Sequence, residues 1–248
     1  MKRADELLAQ LGLAESRSKA RAIIEEGKAS ADGVRIDKPS RKICESAKIE
    51  ICEADAVKYV SRAGLKLEAF LDRFGVNPDG CEIIDIGAST GGFTDCLLSR
   101  GAKSAVCVDV GTGQLHEKLR SDPRVENMER TDARSLTCEA LGGRRFGILC
   151  ADLSFISLEK VLPFVWPFLA PGGTAALLVK PQFETPPAIM RRAKGVIRDA
   201  TLQNAALEKI RNFISAEFPD AEYLGDMPSP IKGGDGNAEF MLGLKKRA

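Results

Sequence analysis

The chain has 248 residues, 44% of them apolar, which is enough for a sizeable buried core in one large domain or two smaller ones. A formal net charge of +1 excludes global basicity as the source of any nucleic-acid binding, which must then come from local patches. No apolar run reaches the ~18 residues of a membrane span, and the start, Met1-Lys2-Arg3-Ala4-Asp5-Glu6, turns charged where a signal peptide needs an apolar stretch, so a cytoplasmic protein is expected.

From Met1 to about Cys52 the residues predict two short helices followed by short strands. Leu7, Leu8 and Leu11 space an apolar face on the first helix; Ala20, Ile23 and Ile24 do so on the second, which Gly27 can end. Arg17 and Arg21 lie four residues apart on the opposite face, and Lys28, Arg35, Lys38, Arg41, Lys42 and Lys48 follow. Taken alone, these cations make either a solvated surface or a phosphate-binding strip. A connector, residues 53–61, leads into an amphipathic helix through Leu65, Leu67, Ala69, Phe70, Leu71 and Phe74, where a second domain starts.

Cys81 to Ile86 reads as a strand, and Gly91 to Arg100, closed by Gly101, as a helix; the turn between them is rich in glycine. Glycines are needed where the backbone takes positive φ or touches a ligand, so Gly87, Gly91 and Gly92 suggest a nucleotide-like ligand at the carboxyl edge of a parallel sheet. The next strand, Ser104 to Asp109, ends in an acid 24 residues after Asp85, about where a ribose-binding carboxylate belongs. The spacing Gly-Ala-Ser-Thr-Gly-Gly is not the GxGxxG of a dinucleotide site, and Asp85 would repel a pyrophosphate. It suits a cation, and S-adenosylmethionine carries an ammonium and a sulfonium without a phosphate. The pattern D-x-G-x-x-x-G-G-F resembles the class I methyltransferase fingerprint. Candidate cofactor contacts are Asp85, Gly87, Ser89, Thr90, Gly91, Gly92, Phe93, Asp109, Asp132 and Asp152, with Asp132 expected at the adenine.

A fourth strand from Phe146 carries Asp152 at its end, either facing the ligand or capping a helix. Trp166, between Pro163 and Pro167, reads as a packing anchor. A fifth strand, Thr174 to Val179, ends at Lys180, followed by Pro181-Gln182-Phe183-Glu184. Residues 184–198 carry Arg191, Arg192, Lys194 and Arg198 and form either a loop over RNA or a solvated basic linker. Gly233 to Asn237 is a glycine-rich loop before a closing strand that starts at Glu239. The seven cysteines are odd in number, scattered and without a CxxC, and the single histidine leaves no partner for a Cys/His metal site. Buried reduced thiols and no metal are expected.

Two resemblances follow from these residues. Arg3-Ala4-Asp5, Gly12 to Ala20, Ile24 to Lys28 and Asp32-Gly33 resemble the small α+β RNA-binding domain of the S-four type, which implies a domain over residues 1–52 that contacts structured RNA. The candidate contacts are Arg3, Arg17, Arg21 and Lys28, with Arg62 at the start of the second domain. Lys66, Asp152, Lys180 and Glu239 resemble the Lys-Asp-Lys-Glu tetrad of FtsJ-like ribose 2′-O-methyltransferases. "YVSRAGLKL", "DIGASTGGFTD", "VDVGTGQL", "ADLSFISL", "LVKPQFE" and "GNAEFML", in this order, look like the TlyA family.

The resemblance implies an α/β, class I (Rossmann-like) methyltransferase domain over residues 62–248 with a mainly parallel seven-stranded sheet. It also implies S-adenosylmethionine as cofactor and cytidine in ribosomal RNA as substrate. Lys180 is then the base, Lys66 and Asp152 tune and orient it, and Glu239 supports the network. A ribose hydroxyl needs its proton removed as it attacks, and a lysine can do this only with a lowered pKa. An amino-group methyltransferase would show an Asn/Asp-Pro-Pro-aromatic turn where this chain has Asp152-Leu153-Ser154-Phe155, and Cys150 lies inside its strand, unlike a cytosine-attacking thiol. Thr112 and His116 stand where the family suggests aromatic residues, and Asp132 where Asn is common. A membrane-active haemolysin, a name often given to this family, and a nicotinamide-binding oxidoreductase are the rival readings.

Overall fold

The computed structural model describes residues 1–25, 27–36, 38–51, 58–233 and 236–247. Cys52, most of the connector at 53–57, Glu26 and the Gly234-Asp235 pair lie outside the described residues. The chain forms two compact units, Met1–Lys58 and Tyr59–Ala248.

The first unit pairs helices α1 (Ala4–Gln10) and α2 (Arg17–Glu25). Its strands are β1 (Lys2–Arg3), β2 (Ala29–Ala31), β3 (Val34–Arg35), β4 (Lys42–Ile43) and β5 (Ile49–Ile51). β1 pairs with β4, and β2 lies between β3 and β5 in a second antiparallel sheet. The predicted helix faces are buried at Leu7, Leu8, Ala20 and Ile24, together with Ala4, Ala29, Ile36 and Ile43. Leu11 departs from expectation: the helix stops at Gln10, and Leu11 is 49% exposed.

The second unit begins with α3 (Ala63–Phe74), ended by Gly75 in the left-handed conformation. Then come β6 (Glu82–Ile86), α4 (Gly92–Ser99), β7 (Ser104–Val108), α5 (Glu117–Arg120) and β8 (Val125–Met128). β9 (Phe146–Ala151), α6 (Leu162–Val165), β10 (Leu169–Val179), α7 (Pro181–Glu184) and α8 (Pro187–Arg192) follow. α9 (Ala200–Glu217), β11 (Ala221–Pro228) and β12 (Phe240–Lys246) complete the unit. The seven-stranded sheet has the order β11-β12-β10-β9-β6-β7-β8, and only β12 runs against the others.

Strand alternation sorts the core into two layers, because successive side chains leave a strand on opposite faces. Ile83, Ala105, Ile148, Cys150, Ala176 and Leu178 pack on one face with Leu67, Phe70 and Leu71 of α3 and Phe93 and Leu97 of α4. Ile84, Val106, Leu149, Ala175 and Leu177 pack on the other with Leu162, Val165, Leu207, Ile210 and Ile214. Helices on both faces explain why the central strands read as continuous apolar runs. Leu65, expected on the buried face of α3, is 37% exposed; the packed stripe runs through Leu67, Phe70 and Leu71.

Trp166 is a packing anchor, its ring 5.2 Å from that of Phe218 and its indole N–H donating to Asp220 Oδ1 at 3.0 Å. The thiol expectation holds only in part. Cys96, Cys107 and Cys150 are buried, but Cys44 and Cys138 are exposed because they fall in turns and not in strands of the core. No helix among the described residues is long and apolar enough to cross a membrane.

Candidate active site at the carboxyl edge of the sheet

The chain turns from one side of the sheet to the other at β6, whose neighbours are β7 and β9. Connections there leave in opposite directions and open a crevice beyond the carboxyl ends of the strands, where ligands of such sheets bind. A cleft of about 160 Å³ occupies this place. Asp85, Gly87, Ser89, Thr90, Gly92, Phe93 and Asp152 of the predicted cofactor set line it, together with Ser61, Ala63, Ala88, Ser154 and Lys180. Gly91, Asp109 and Asp132 are not in that lining.

Backbone conformation explains the glycine turn. Gly87 has φ +77°, and a Cβ there would stand 2.7 Å from the main-chain oxygen of Asp152. Only a residue without a side chain lets the ends of β6 and β9 approach so closely. Gly91, at φ +88°, faces the side chain of Leu119 in α5, so it seats the turn against a helix instead of lining the cleft.

The acids have different environments. Asp85 is fully buried; its Oδ2 accepts from Thr94 N–H at 3.1 Å and from Thr94 Oγ1 at 2.8 Å, while its Oδ1 lacks a hydrogen-bond partner among the described residues. Burial, reinforced by the charges of Asp152 and Asp109 and opposed by the Thr94 bonds, pushes its carboxyl up to about 7. Asp109 accepts from the backbone N–H of Ser89 at 2.8 Å and of Gly111 at 2.7 Å, so it ties the glycine turn to the end of β7. Asp132 caps the turn at 133–135 and holds Arg134 at 2.6 Å, which brings its carboxyl down to about 2.

Two ion pairs organise the tetrad. Lys180 Nζ lies 2.5 Å from Asp152 Oδ1 and donates to Ser154 Oγ at 3.1 Å. Lys66 Nζ lies 2.5 Å from Glu239 Oε2, with both side chains buried. The register that pairs Val179 with Phe240 brings Lys180 and Glu239 to the same sheet edge. Lys66 therefore reaches this edge through Glu239, and the group in contact with Lys180 is Asp152. Two charges taken out of water require such partners, since a lone buried ion is strongly disfavoured.

An acid-lined cleft with an orphaned carboxylate oxygen suits a cationic ligand and disfavours a pyrophosphate, the arrangement a sulfonium and ammonium require. His116 is exposed and caps α5, its Nδ1 accepting from Lys118 N–H at 3.2 Å. In the first unit, Arg3 makes a two-pronged pair with the buried Asp5 at 2.9 Å, and Arg17 pairs with Asp5 at 3.3 Å and with Glu6 at 3.1 Å. Asp5 thereby holds two of the predicted RNA-contacting arginines at one place. Sequence reasoning missed Thr94, Ser154 and Glu184. All three lie inside motifs already quoted, so membership could have flagged them, but the partners of Glu184, 26 and 27 residues away, are set by the fold.

Comparison with known proteins follows the two units. Residues 59–246 match the FtsJ-like methyltransferase model and residues 2–49 the S4 domain model. The 16S/23S rRNA (cytidine-2′-O)-methyltransferase TlyA of Mycobacterium tuberculosis is 39% identical over 98% of this chain and 89% of its own. Hemolysin A of Brachyspira hyodysenteriae is 39% identical over 96% of this chain and 98% of its own. A solved structure from Streptococcus thermophilus, carried under a hemolysin name, superposes with a TM-score of 0.76 at 38% identity, covering 99% of this chain and 88% of that one.

Proposed function

The chain belongs to the TlyA family of FtsJ-like methyltransferases, and from that premise we propose that it methylates the ribose 2′-hydroxyl of cytidine in ribosomal RNA, in the small subunit, the large subunit or both, with S-adenosylmethionine as cofactor. The observation that carries this reading is the Lys180–Asp152 pair on the wall of an acid-lined cleft at the sheet's switch point.

Asp85, Gly87, Ser89, Thr90, Gly92, Phe93 and Asp152 line the cleft and would hold the cofactor, with Gly91 shaping the turn behind them, Asp109 offering its remaining lone pairs to ribose hydroxyls and Asp132 reaching the adenine. When bound, S-adenosylmethionine supplies an electrophilic methyl on a positively charged sulfur. The protein's own part is to bring the hydroxyl into line and accept its proton. Lys180 Nζ, in its neutral form, takes the 2′-hydroxyl proton as the oxygen attacks. Asp152 and Ser154 hold that amine in place, and the Lys66–Glu239 pair braces the neighbouring strand end. Positioning of this kind is a large part of catalysis, because an aligned pair reacts without a further entropic cost.

Arg3, Arg17, Arg21, Lys28 and Arg62 would contact RNA phosphates. The two-domain division of the sequence, residues 1–52 and 62–248, accords with an RNA-binding part and a catalytic part. The test is incubation of the purified protein with S-adenosylmethionine carrying a labelled methyl and with separated ribosomal subunits and whole ribosomes. Digestion and mass spectrometry of the nucleosides should find label on a cytidine ribose. Label on a base, or none on any ribosomal substrate while cofactor binding is intact, would refute the reading.

A further inference from the structure

Lys180 stands at the start of a short segment, Lys180–Glu184, that lies beside the loop Asp152–Leu158, and three contacts join them. At the near end Lys180 meets Asp152 and Ser154. In the middle the rings of Phe155 and Phe183 lie 5.3 Å apart, and Lys180 Nζ is 5.9 Å from the Phe183 ring centre. At the far end the Glu184 carboxylate accepts from the Ser157 hydroxyl and, at 2.9 Å, from the Leu158 backbone N–H. Ser157 in turn caps the short helical turn at 158–160, accepting from Glu159 N–H at 3.2 Å.

The middle contact is a weak anchor by itself. Phe155 is 91% exposed and held at φ +65°, a conformation costly for a residue with a side chain unless its surroundings impose it. The Glu184 side chain, by contrast, is 2% exposed. Lys209 of α9 donates to the Glu184 main-chain oxygen at 3.2 Å and lies 3.7 Å from its carboxylate, which ties the far end to a long helix. A buried carboxylate with two donors on another segment fixes their separation far better than an exposed contact does.

We propose that Glu184 is a positioning residue for methyl transfer: its carboxylate locks the Asp152–Leu158 loop to the Lys180–Glu184 segment and so sets the geometry of Lys180 against Asp152. The proposal rests on the reading of Lys180 as the base. Glu184 touches neither substrate nor cofactor and acts through the loop.

The experiment compares Glu184→Ala and Glu184→Gln with the wild type in the full-length protein. A glutamine keeps an oxygen to accept from Leu158 N–H and an amide that can donate to Ser157, so it should preserve the lock without the charge. Glu184→Ala is expected to lower kcat by about 10- to 100-fold, the scale of a misplaced reacting group, with cofactor Kd and RNA KM within about twofold. Glu184→Gln should recover most of the loss.

Hydrogen exchange followed by mass spectrometry provides a readout independent of activity. Amides of residues 153–160 should exchange faster in Glu184→Ala than in the wild type and Glu184→Gln, while α3 and β6 stay protected. Unchanged kcat in a folded Glu184→Ala variant, or unchanged exchange at residues 153–160, would overturn the proposal. A wild type inactive on every ribosomal substrate would refute the function proposed above, and exchange would still decide whether the lock exists.

Discussion

Lys180 and Asp85 are the residues whose chemistry is most exposed to test. Replacing Lys180 by alanine removes the proposed proton acceptor and leaves a half-buried Asp152 without its partner. Methyl transfer should fall by about 10²- to 10⁴-fold, the range of general-base catalysis, with cofactor affinity within a few fold; a variant with near-normal turnover would remove Lys180 from that role. Asp85 makes a thermodynamic prediction. Its folded value of about 7 lies above the ordinary 3.8, so the folded protein holds this proton more tightly than the unfolded chain does. The stabilisation is complete below about pH 4 and is lost as pH rises toward 7, with a slope of at most about 1.4 kcal/mol per pH unit. Melting temperatures from pH 4 to 8 should therefore decline more steeply in the wild type than in Asp85→Asn; parallel curves would rule out Asp85 as the source. Thr94, Asp152, Asp109 and Cys107 surround this carboxyl, and the sign depends on burial outweighing the two Thr94 bonds.

At the scale of the element, the glycine turn between β6 and α4 was legible because its constraint is local. A strand, a small-residue run and a helix are nearly contiguous, and glycine most readily takes the positive φ found at Gly87 and Gly91. Gly87→Ala should cost about 1–3 kcal/mol of stability, since its Cβ would press on the Asp152 carbonyl. It should also weaken S-adenosylmethionine binding by at least about tenfold, near 1.4 kcal/mol. Calorimetric titration with intact affinity would show that the turn yields without disturbing the cleft. Leu11 and Leu65 failed as buried positions for a related reason: periodicity locates a face, but a helix end or a missing neighbour decides which residue on it is covered.

For the whole molecule the question is what the first unit contributes to RNA. Arg3 and Arg17 are clustered by Asp5, so the strip is prearranged as well as charged. Removing residues 1–52 should weaken RNA binding and make the dependence of log K on log salt shallower by about 3, for roughly four lost phosphate contacts at ~0.7–0.9 each. Binding measured from 50 to 300 mM salt checks this; an unchanged slope would mean that the strip does not touch phosphate.

By itself the amino-acid order determined the α/β class, the apolar central strands and the glycine turn, because each is written in neighbouring positions, whereas the tetrad was suggested only by resemblance to a family. Tertiary structure alone decided the pairing. Lys66 meets Glu239 across 173 residues, Lys180 meets Asp152, and Glu184 joins two loops that no periodicity connects. The physical reason is the same in each case: backbone conformation is set by local sterics, whereas a buried charge takes whichever partner the packed sheet brings within reach.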